Sequence, residues 1–343
     1  MKTVYSEKHK LHHAKLELIN GKMEPAVEMP SRAETVLDRV KAVKLGEIVG
    51  PTAHGLDPVK RVHAANYVDF LSKAWDLWTA AGRDYEALPL VWAVRGLRQI
   101  EPDYIDGKLS YYSFDAGTPI TSGTWEAATA SADVALTAAD MIRAGENAAF
   151  ALCRPPGHHA AADFYGGYCF LNNAAIAAQS FIDKGAARVA ILDVDYHHGN
   201  GTQAIFYDRP DVFFASIHGH PKQEYPFFLG YEDETGAGAG EGCNANYPLV
   251  WGSGFDAWDA ALQDACQKIA AYGPDAVVVS LGVDTFEKDP ISQFKLKSPD
   301  YLKIGETIAR LGKPTLFVME GGYAVAEIGV NAVNVLLGFE GRG

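Results

Sequence analysis

Cysteine is scarce in this chain: four residues, Cys153, Cys169, Cys243 and Cys266, with no C-x-x-C pair among them. That argues against a structural zinc clip or a disulfide framework, and reduced thiols fit a cytosolic setting. No stretch approaches the roughly twenty uninterrupted apolar residues that a membrane span needs. Met1 to Lys10 carries charges where a secretion signal would be apolar, so a cytoplasmic enzyme with no membrane partner is expected. Basic residues are also in deficit. Thirty Lys plus Arg against 43 Asp plus Glu give a net charge of −13, which disfavours nucleic acid and tilts the chain towards cationic ligands. Repeats, low-complexity tracts and Ser/Gly linkers are absent, so residues 1–343 read as one large domain rather than several.

What the chain does contain is a series of short apolar, β-rich runs: Ala148 to Cys153, Val189 to Leu192, Val212 to Ile217, Ala276 to Leu281 and Thr315 to Met319. Helix-length stretches alternate with them, among them Leu171 to Lys184, Ala257 to Tyr272 and Ser298 to Leu311, the last opened by a Ser298 cap and Pro299. The alternation implies an α/β fold, a wound parallel sheet with helices on both faces. Ser31-Arg-Ala-Glu34 matches a capping box that opens a helix through about Val43, and another helix is expected over Ala64 to Ala81. The segment from Arg83 to Thr121 mixes prolines, glycines, acids and aromatics and reads as a long surface insertion.

Polar residues gather where these strands end. Val189-Ala-Ile-Leu192 runs into Asp193-Val-Asp195-Tyr-His197-His198-Gly199-Asn-Gly201, and Val277-Val-Val-Ser-Leu-Gly-Val-Asp284 delivers another carboxylate. Open α/β sheets place their ligands at that carboxyl edge. If the chain stays extended, Asp193, Asp195 and His197 alternate onto one side, and Asp195, His197 and Asp284 together can hold one borderline divalent ion with a face left for water or substrate. Taken singly, Asp195 and Asp284 equally fit turn caps and His197 a core histidine. Their coincidence at two strand ends favours the metal. Two anionic ligands neutralise the ion and acidify water less than three imidazoles would, so a separate base is expected.

Arg154-Pro155-Pro156-Gly157-His158-His159 offers a stiff turn that presents two imidazoles, although paired histidines also occur simply on surfaces. After Thr315 to Met319 come Glu320-Gly321-Gly322-Tyr323, where a glycine pair can swing a phenol over the sheet edge to donate to an oxyanion. The alternative is a tyrosine packed on the next helix.

Arg154-Pro-Pro-Gly-His-His159, Gly166-Gly-Tyr-Cys-Phe-Leu-Asn-Asn173, Asp193-Val-Asp195-Tyr-His197-His-Gly-Asn-Gly201, Ser280-Leu-Gly-Val-Asp284 and Glu320-Gly-Gly-Tyr323 resemble, in order, the motifs of the histone deacetylase and acetylpolyamine amidohydrolase family, most closely its bacterial acetylpolyamine branch. The resemblance implies an arginase/deacetylase-like, three-layer fold with an eight-stranded parallel sheet. It assigns one zinc per chain to Asp195, His197 and Asp284. His159 becomes the general base and then acid, His158 its electrostatic partner, and Tyr323 the carbonyl polariser. A structural potassium would use main-chain oxygens of Asp193, Asp195 and His197 with Ser216 and Ile217; a second would lie near Phe206, Arg209, Val212 and Cys243. Asn200 stands where many eukaryotic deacetylases carry aspartate, and an amide cannot stabilise an imidazolium as a carboxylate does.

The resemblance further implies deacetylation of acetylpolyamines such as acetylputrescine and acetylcadaverine to acetate and free amine. The tunnel for the aliphatic stem is assigned to Phe164, Gly167, Tyr168 and Tyr225, with Glu17, Asp106 and Asp115 as candidate carboxylates for distal ammonium groups, although each taken singly fits an ordinary solvated surface acid better. The insertion at about 83–121 is expected to pack against a second subunit, giving a homodimer with a narrowed entrance. Three alternatives stand beside this reading: a protein acetyl-lysine deacetylase, a binuclear manganese hydrolase of the arginase type, and a non-catalytic acyl-amine-binding protein. Gly199 and Phe286 stand where a second metal would want carboxylates, which argues against the binuclear site.

Overall fold

The computed structural model describes residues 1–342. Its strands are Lys2–Val4 (β1), Leu16–Ile19 (β2), Lys22–Pro25 (β3), Ile48–Val49 (β4), Ala148–Ala151 (β5), Val189–Asp193 (β6), Val212–Gly219 (β7), Asn244–Leu249 (β8), Ala276–Leu281 (β9) and Thr315–Met319 (β10). Eight of them form one parallel sheet in the order β4-β1-β5-β10-β9-β6-β7-β8, while β2 and β3 make a separate antiparallel hairpin. The five runs singled out from the sequence are β5, β6, β7, β9 and β10. Shorter or more polar strands extend the sheet to both edges, and β8, Asn-Ala-Asn-Tyr-Pro-Leu, has the polar and proline content that edge strands tolerate.

Both faces of the sheet are covered, which explains why its central strands are continuously apolar rather than alternating. Ile191, Val278 and Leu316 point into a core shared with the helices Ala65–Ala80, Thr124–Arg143 and Asn173–Asp183. Their neighbours Leu192, Val279 and Phe317 point the other way, into a core shared with Ser31–Ala42, Phe255–Tyr272, Asp300–Ala309 and Ile328–Phe339. This is the expected three-layer arrangement. Among the described residues no helix is long and apolar enough to cross a membrane.

Helix starts differ from expectation in detail. Pro30 occupies the N-cap of Ser31–Ala42, so Ser31 is already helical; its hydroxyl is buried without a partner, and the capping box does not form. Glu34 instead pairs with Lys10 at 3.1 Å. Pro299 likewise replaces Ser298 as the cap of the later helix, and the Asp300 carboxylate accepts from the Lys297 N–H at 2.9 Å. Within the insertion, Ile105–Tyr112 is helical and Ala87 bridges to Ile120, while the stretch between them follows the surface.

Register decides which strand ends meet. Asp193 lies opposite Ser216 of β7 on one side and Ser280 of β9 on the other, and Met319 of β10 lies opposite Leu281. The carboxyl ends of β6, β9 and β10 therefore finish level, beside that of β5, and their loops share one edge.

Candidate active site and metal centre

Beyond Asp193 the chain leaves the extended form and bends through Asp195 to His197, so the pair converges by a turn and not by the alternation expected. Asp284 arrives from the neighbouring strand. Ligand atoms of Asp195, His197 and Asp284 all lie within 4.8 Å of one another, and the three side chains are buried. Backbone donors orient them: Asp284 Oδ1 accepts from the Tyr196 N–H at 2.8 Å, Asp195 Oδ1 from the His197 N–H at 2.9 Å and Asp195 Oδ2 from the Gly321 N–H at 2.8 Å.

The electrostatics of this group call for a cation. Burial, and next the Asp195 charge beside it, push the Asp284 carboxyl up to about 8. Burial would discharge His197, yet Asp195 and Asp284 overcome it and draw the imidazole towards its protonated form. Glycine keeps the space open, because a Cβ at Gly282 or Gly321 would overlap the Asp195 carboxylate. One imidazole and two carboxylates in a buried, glycine-walled cluster are a donor set that zinc accepts, so the residues fit the metal expected.

The tandem histidines leave the end of β5 and face this cluster in different states. His158 Nδ1 donates to Asp193 Oδ2 at 3.0 Å, and its Nε2 lies 3.7 Å from Asp195 Oδ1. Burial opposes its charge, but Asp195 and Asp193 outweigh burial and raise His158 to about 10. His159 goes the other way: burial first, then the neighbouring His158 and His197, push it well below the usual range. Its Nδ1 meets Asn200 Oδ1 at 2.6 Å, and Asn200 Nδ2 donates to the His159 carbonyl at 3.4 Å, which fixes the amide's orientation. The proton of neutral His159 therefore sits on Nδ1, leaving Nε2 as an acceptor.

Tyr323 is 7% exposed, and its ring stands 5.5 Å from that of Tyr168. Burial keeps its phenol protonated, as an O–H donor must be. The turn that carries it is held by residues the sequence did not reveal as functional. Arg32 donates to the carbonyls of Gly322 and Glu320, each at 2.6 Å, and stacks over the Tyr323 ring at 4.6 Å. Glu28 accepts from Arg32 at 2.7 Å and from Arg154 at 2.8 and 2.9 Å. Glu320 then ties the two catalytic turns together, its Oε2 accepting from the N–H groups of Gly157 at 2.6 Å and His158 at 3.2 Å. The only sequence signal for this clamp was Arg154 itself, at the head of a stiff turn.

Four aromatics surround the approach to His159. Tyr225 lies edge-on to it at 5.2 Å, Phe114 stacks on Tyr225 at 5.7 Å, and Phe164 packs behind Phe114 at 5.4 Å. Tyr168 forms the wall beside Tyr323. Phe114 was missed in the sequence, hidden in the insertion. Gly167 touches the His159 ring so closely that a Cβ there would overlap it.

The three acids expected at the mouth all have protein partners, two of them at the tunnel walls. Glu17 is 1% exposed and accepts from the Val27 N–H at 2.8 Å. Asp106 makes a two-pronged pair with Arg83. Asp115 accepts from the Gly167 N–H at 2.6 Å and the Tyr225 hydroxyl at 2.8 Å. None of them is a solvated surface acid without a protein partner. For the cation sets, Ser216 Oγ bonds His218 Nδ1 at 2.8 Å; Phe206, Arg209, Val212 and Cys243 cluster where the helix Asn200–Phe206 passes into β7 beside the start of β8.

Residues 26–338 match the histone deacetylase domain. The chain belongs to the histone deacetylase family. Within the family it is 64% identical over 341 residues to acetylpolyamine amidohydrolase 2 of Pseudomonas aeruginosa, covering 99% of each chain. It is 55% identical to the acetylpolyamine amidohydrolase of Mycoplana ramosa, over 99% of this chain and 100% of that one. Its backbone follows the crystal structure of an acetylpolyamine aminohydrolase from Burkholderia pseudomallei with a TM-score of 0.94 at 39% identity, covering 100% of this chain and 99% of the other. As a family member it is a metal-site amidohydrolase of α/β architecture, with Asp195, His197 and Asp284 as its candidate ligand group.

The buried arginine clamp yields a test. Although burial alone would raise Glu28, Arg154 and Arg32 hold it down at about 2, from an ordinary 4.5. A depressed carboxylate stabilises the fold above its unfolded value and loses that contribution as pH falls through the folded one. Glu28→Gln leaves two buried guanidinium groups unpaired and is expected to cost about 3–5 kcal/mol near neutral pH. Urea midpoints should show the gap to wild type narrowing by about 3 kcal/mol between pH 5 and pH 2. A gap independent of pH would contradict the clamp.

Proposed function

We infer that this chain removes acetyl groups from acetylpolyamines such as acetylputrescine and acetylcadaverine, releasing acetate and the free amine. The observation that carries this reading is the geometry around His159: its Nδ1 is bonded to Asn200 Oδ1 at 2.6 Å, and its ring stands 6.1 Å from that of His197 in the buried two-carboxylate, one-imidazole cluster. Zinc held by Asp195, His197 and Asp284 supplies Lewis acidity there, polarising the amide and making water more acidic.

The chain's own groups then divide the work. The Tyr323 hydroxyl donates to the amide oxygen, where negative charge grows as water adds to the carbonyl carbon. His159 Nε2 takes the proton from that water and returns it to the amine nitrogen as the C–N bond breaks. His158 stays cationic between Asp193 and Asp195 and supplies fixed positive charge next to the developing anion. Asn200 turns its carbonyl dipole to the Nδ1–H of His159, so the second imidazolium forms beside the first with less help than a carboxylate would give.

The aromatic walls suit a methylene stem, and a net charge of −13 draws a cationic substrate. The whole chain acts as one deacetylase unit. Structural potassium is assigned to main-chain oxygens of Asp193, Asp195 and His197 with Ser216 and Ile217, and a second ion to the group Phe206, Arg209, Val212 and Cys243. All four cysteines are free, in keeping with action in the cytoplasm.

Kinetics on acetylputrescine, acetylcadaverine and an acetyl-lysine peptide test the substrate. The expected outcome is a kcat/KM at least about tenfold higher for the acetylated diamines, a difference of roughly 1.4 kcal/mol in transition-state binding. A preference for the peptide would transfer the assignment to a protein deacetylase.

The second expectation concerns assembly. Leu90, Val91, Val94, Leu97 and Ile100 of the insertion are each more than half exposed. A row of this kind is unusual on a free monomer surface and suits a second copy. Light scattering at micromolar concentration should give twice the chain mass of 37.0 kDa. Leu90→Glu with Val94→Glu should return it to one, and a wild-type chain that is monomeric throughout would remove the dimer.

A further inference from the structure

Asp115 stands between the two walls of the substrate approach and bonds to both. Its Oδ2 accepts from the backbone N–H of Gly167 at 2.6 Å and from the Tyr225 hydroxyl at 2.8 Å, and its Oδ1 accepts from the Gly117 N–H at 3.2 Å. Its chain neighbours repeat the pattern. Phe114 stacks on the Tyr225 ring at 28° between planes, and Thr118 Oγ1 accepts from the Tyr168 N–H at 3.0 Å. One short stretch of the insertion thus grips the loop after β7 and the turn after β5 at once.

That second turn needs holding. Gly167 and Tyr168 both lie in the left-handed region, at φ 56° and 65°. For a tyrosine that conformation costs on the order of 1 kcal/mol. The same turn presses on the catalytic base, since the Gly167 backbone leaves no room for a Cβ against the His159 ring. A shift of the turn therefore moves both the tunnel wall and the space beside His159.

We propose that Asp115 is a positioning and specificity-determining residue: a single carboxylate pins Tyr225 and the Gly167–Tyr168 turn together, sets the bore for a slender stem, and does not serve as the acceptor for a substrate's ammonium group. The assignment rests on the deacetylase reading of the site. Its donors already engage both carboxylate oxygens, and the short bonds to Gly167 and Tyr225 are the ones that charge-assisted acceptors make. A cationic substrate passing this point meets a carboxylate whose strongest acceptor directions are taken.

Substitutions separate a pin from a counter-ion. Asparagine with its Oδ1 in the place of the aspartate's Oδ2 can still accept from both the Gly167 N–H and the Tyr225 hydroxyl, giving up only the longer bond from the Gly117 N–H, but it carries no charge; alanine can accept from neither. Acetylputrescine, with its distal ammonium, and N-butylacetamide, which lacks one, are the paired substrates. Asp115→Ala is expected to lower kcat/KM by about 10–100-fold on both alike, as the loss of two such bonds and a displaced wall predict. Asp115→Asn should recover most of that loss and keep the charged-to-neutral preference within about twofold of wild type; a drop in Asp115→Asn as deep as in alanine and confined to acetylputrescine would overturn the proposal. Crystal structures of both variants supply a readout independent of turnover. Tyr225 and Gly167 should move in Asp115→Ala and stay in Asp115→Asn, and walls unmoved in the alanine variant would overturn the pin. Wild-type protein inactive on every acylated amine would defeat the deacetylase reading instead, with the crystal comparison still deciding the role of Asp115.

Discussion

Two carboxylates that would rather not be neighbours are the constraint on which this structure depends. Asp195 and Asp284 are buried side by side, each 0% exposed, with His197 as the nearest base. Taking such a pair out of water is expensive unless positive charge joins it. The fold meets that cost with backbone N–H donors from Tyr196, His197 and Gly321, and the donor set leaves the rest to a divalent ion. The glycines at 282 and 321 exist at this edge because any side chain would fill the space.

From that negative centre the states of the surrounding groups follow by distance. His158, within reach of Asp193 and Asp195, is held charged, while His159, with only an amide on its Nδ1, is held neutral. Two adjacent residues of one type thus acquire different charge states from their partners, one a fixed cation and the other a proton acceptor at the same pH. Behind them, Arg32 and Arg154 share Glu28, and Arg32 reaches the carbonyls of the Tyr323 turn, so the phenol and the histidine turn are fixed to one buried frame. The aromatic walls are fixed from outside by Asp115.

Much of this was legible in the amino-acid order, for reasons that differ by element. Strands β5, β6, β7, β9 and β10 are central and covered on both faces, so they are written as unbroken apolar runs. The edges, β1, β4 and β8, are short or half polar and resemble loops. The ligands Asp195, His197 and Asp284 stood out because strand ends in an open sheet supply sites, and the resemblance to known deacetylases added their roles. Glu28 and Arg32 did not, because they lie more than a hundred residues from the turns they hold, and no local period reports such a pairing. The partners of Glu17, Asp106 and Asp115 were hidden for a related reason: an acid in an irregular segment looks solvated until the fold shows which N–H, hydroxyl or guanidinium it meets.

The states of both histidines and of Tyr323 depend on the metal centre, and anomalous diffraction at the zinc absorption edge tests it without recourse to activity. Crystals of the protein as purified should show one strong peak enclosed by Asp195, His197 and Asp284. A featureless map at that position, or two equal peaks sharing these residues, would contradict the account.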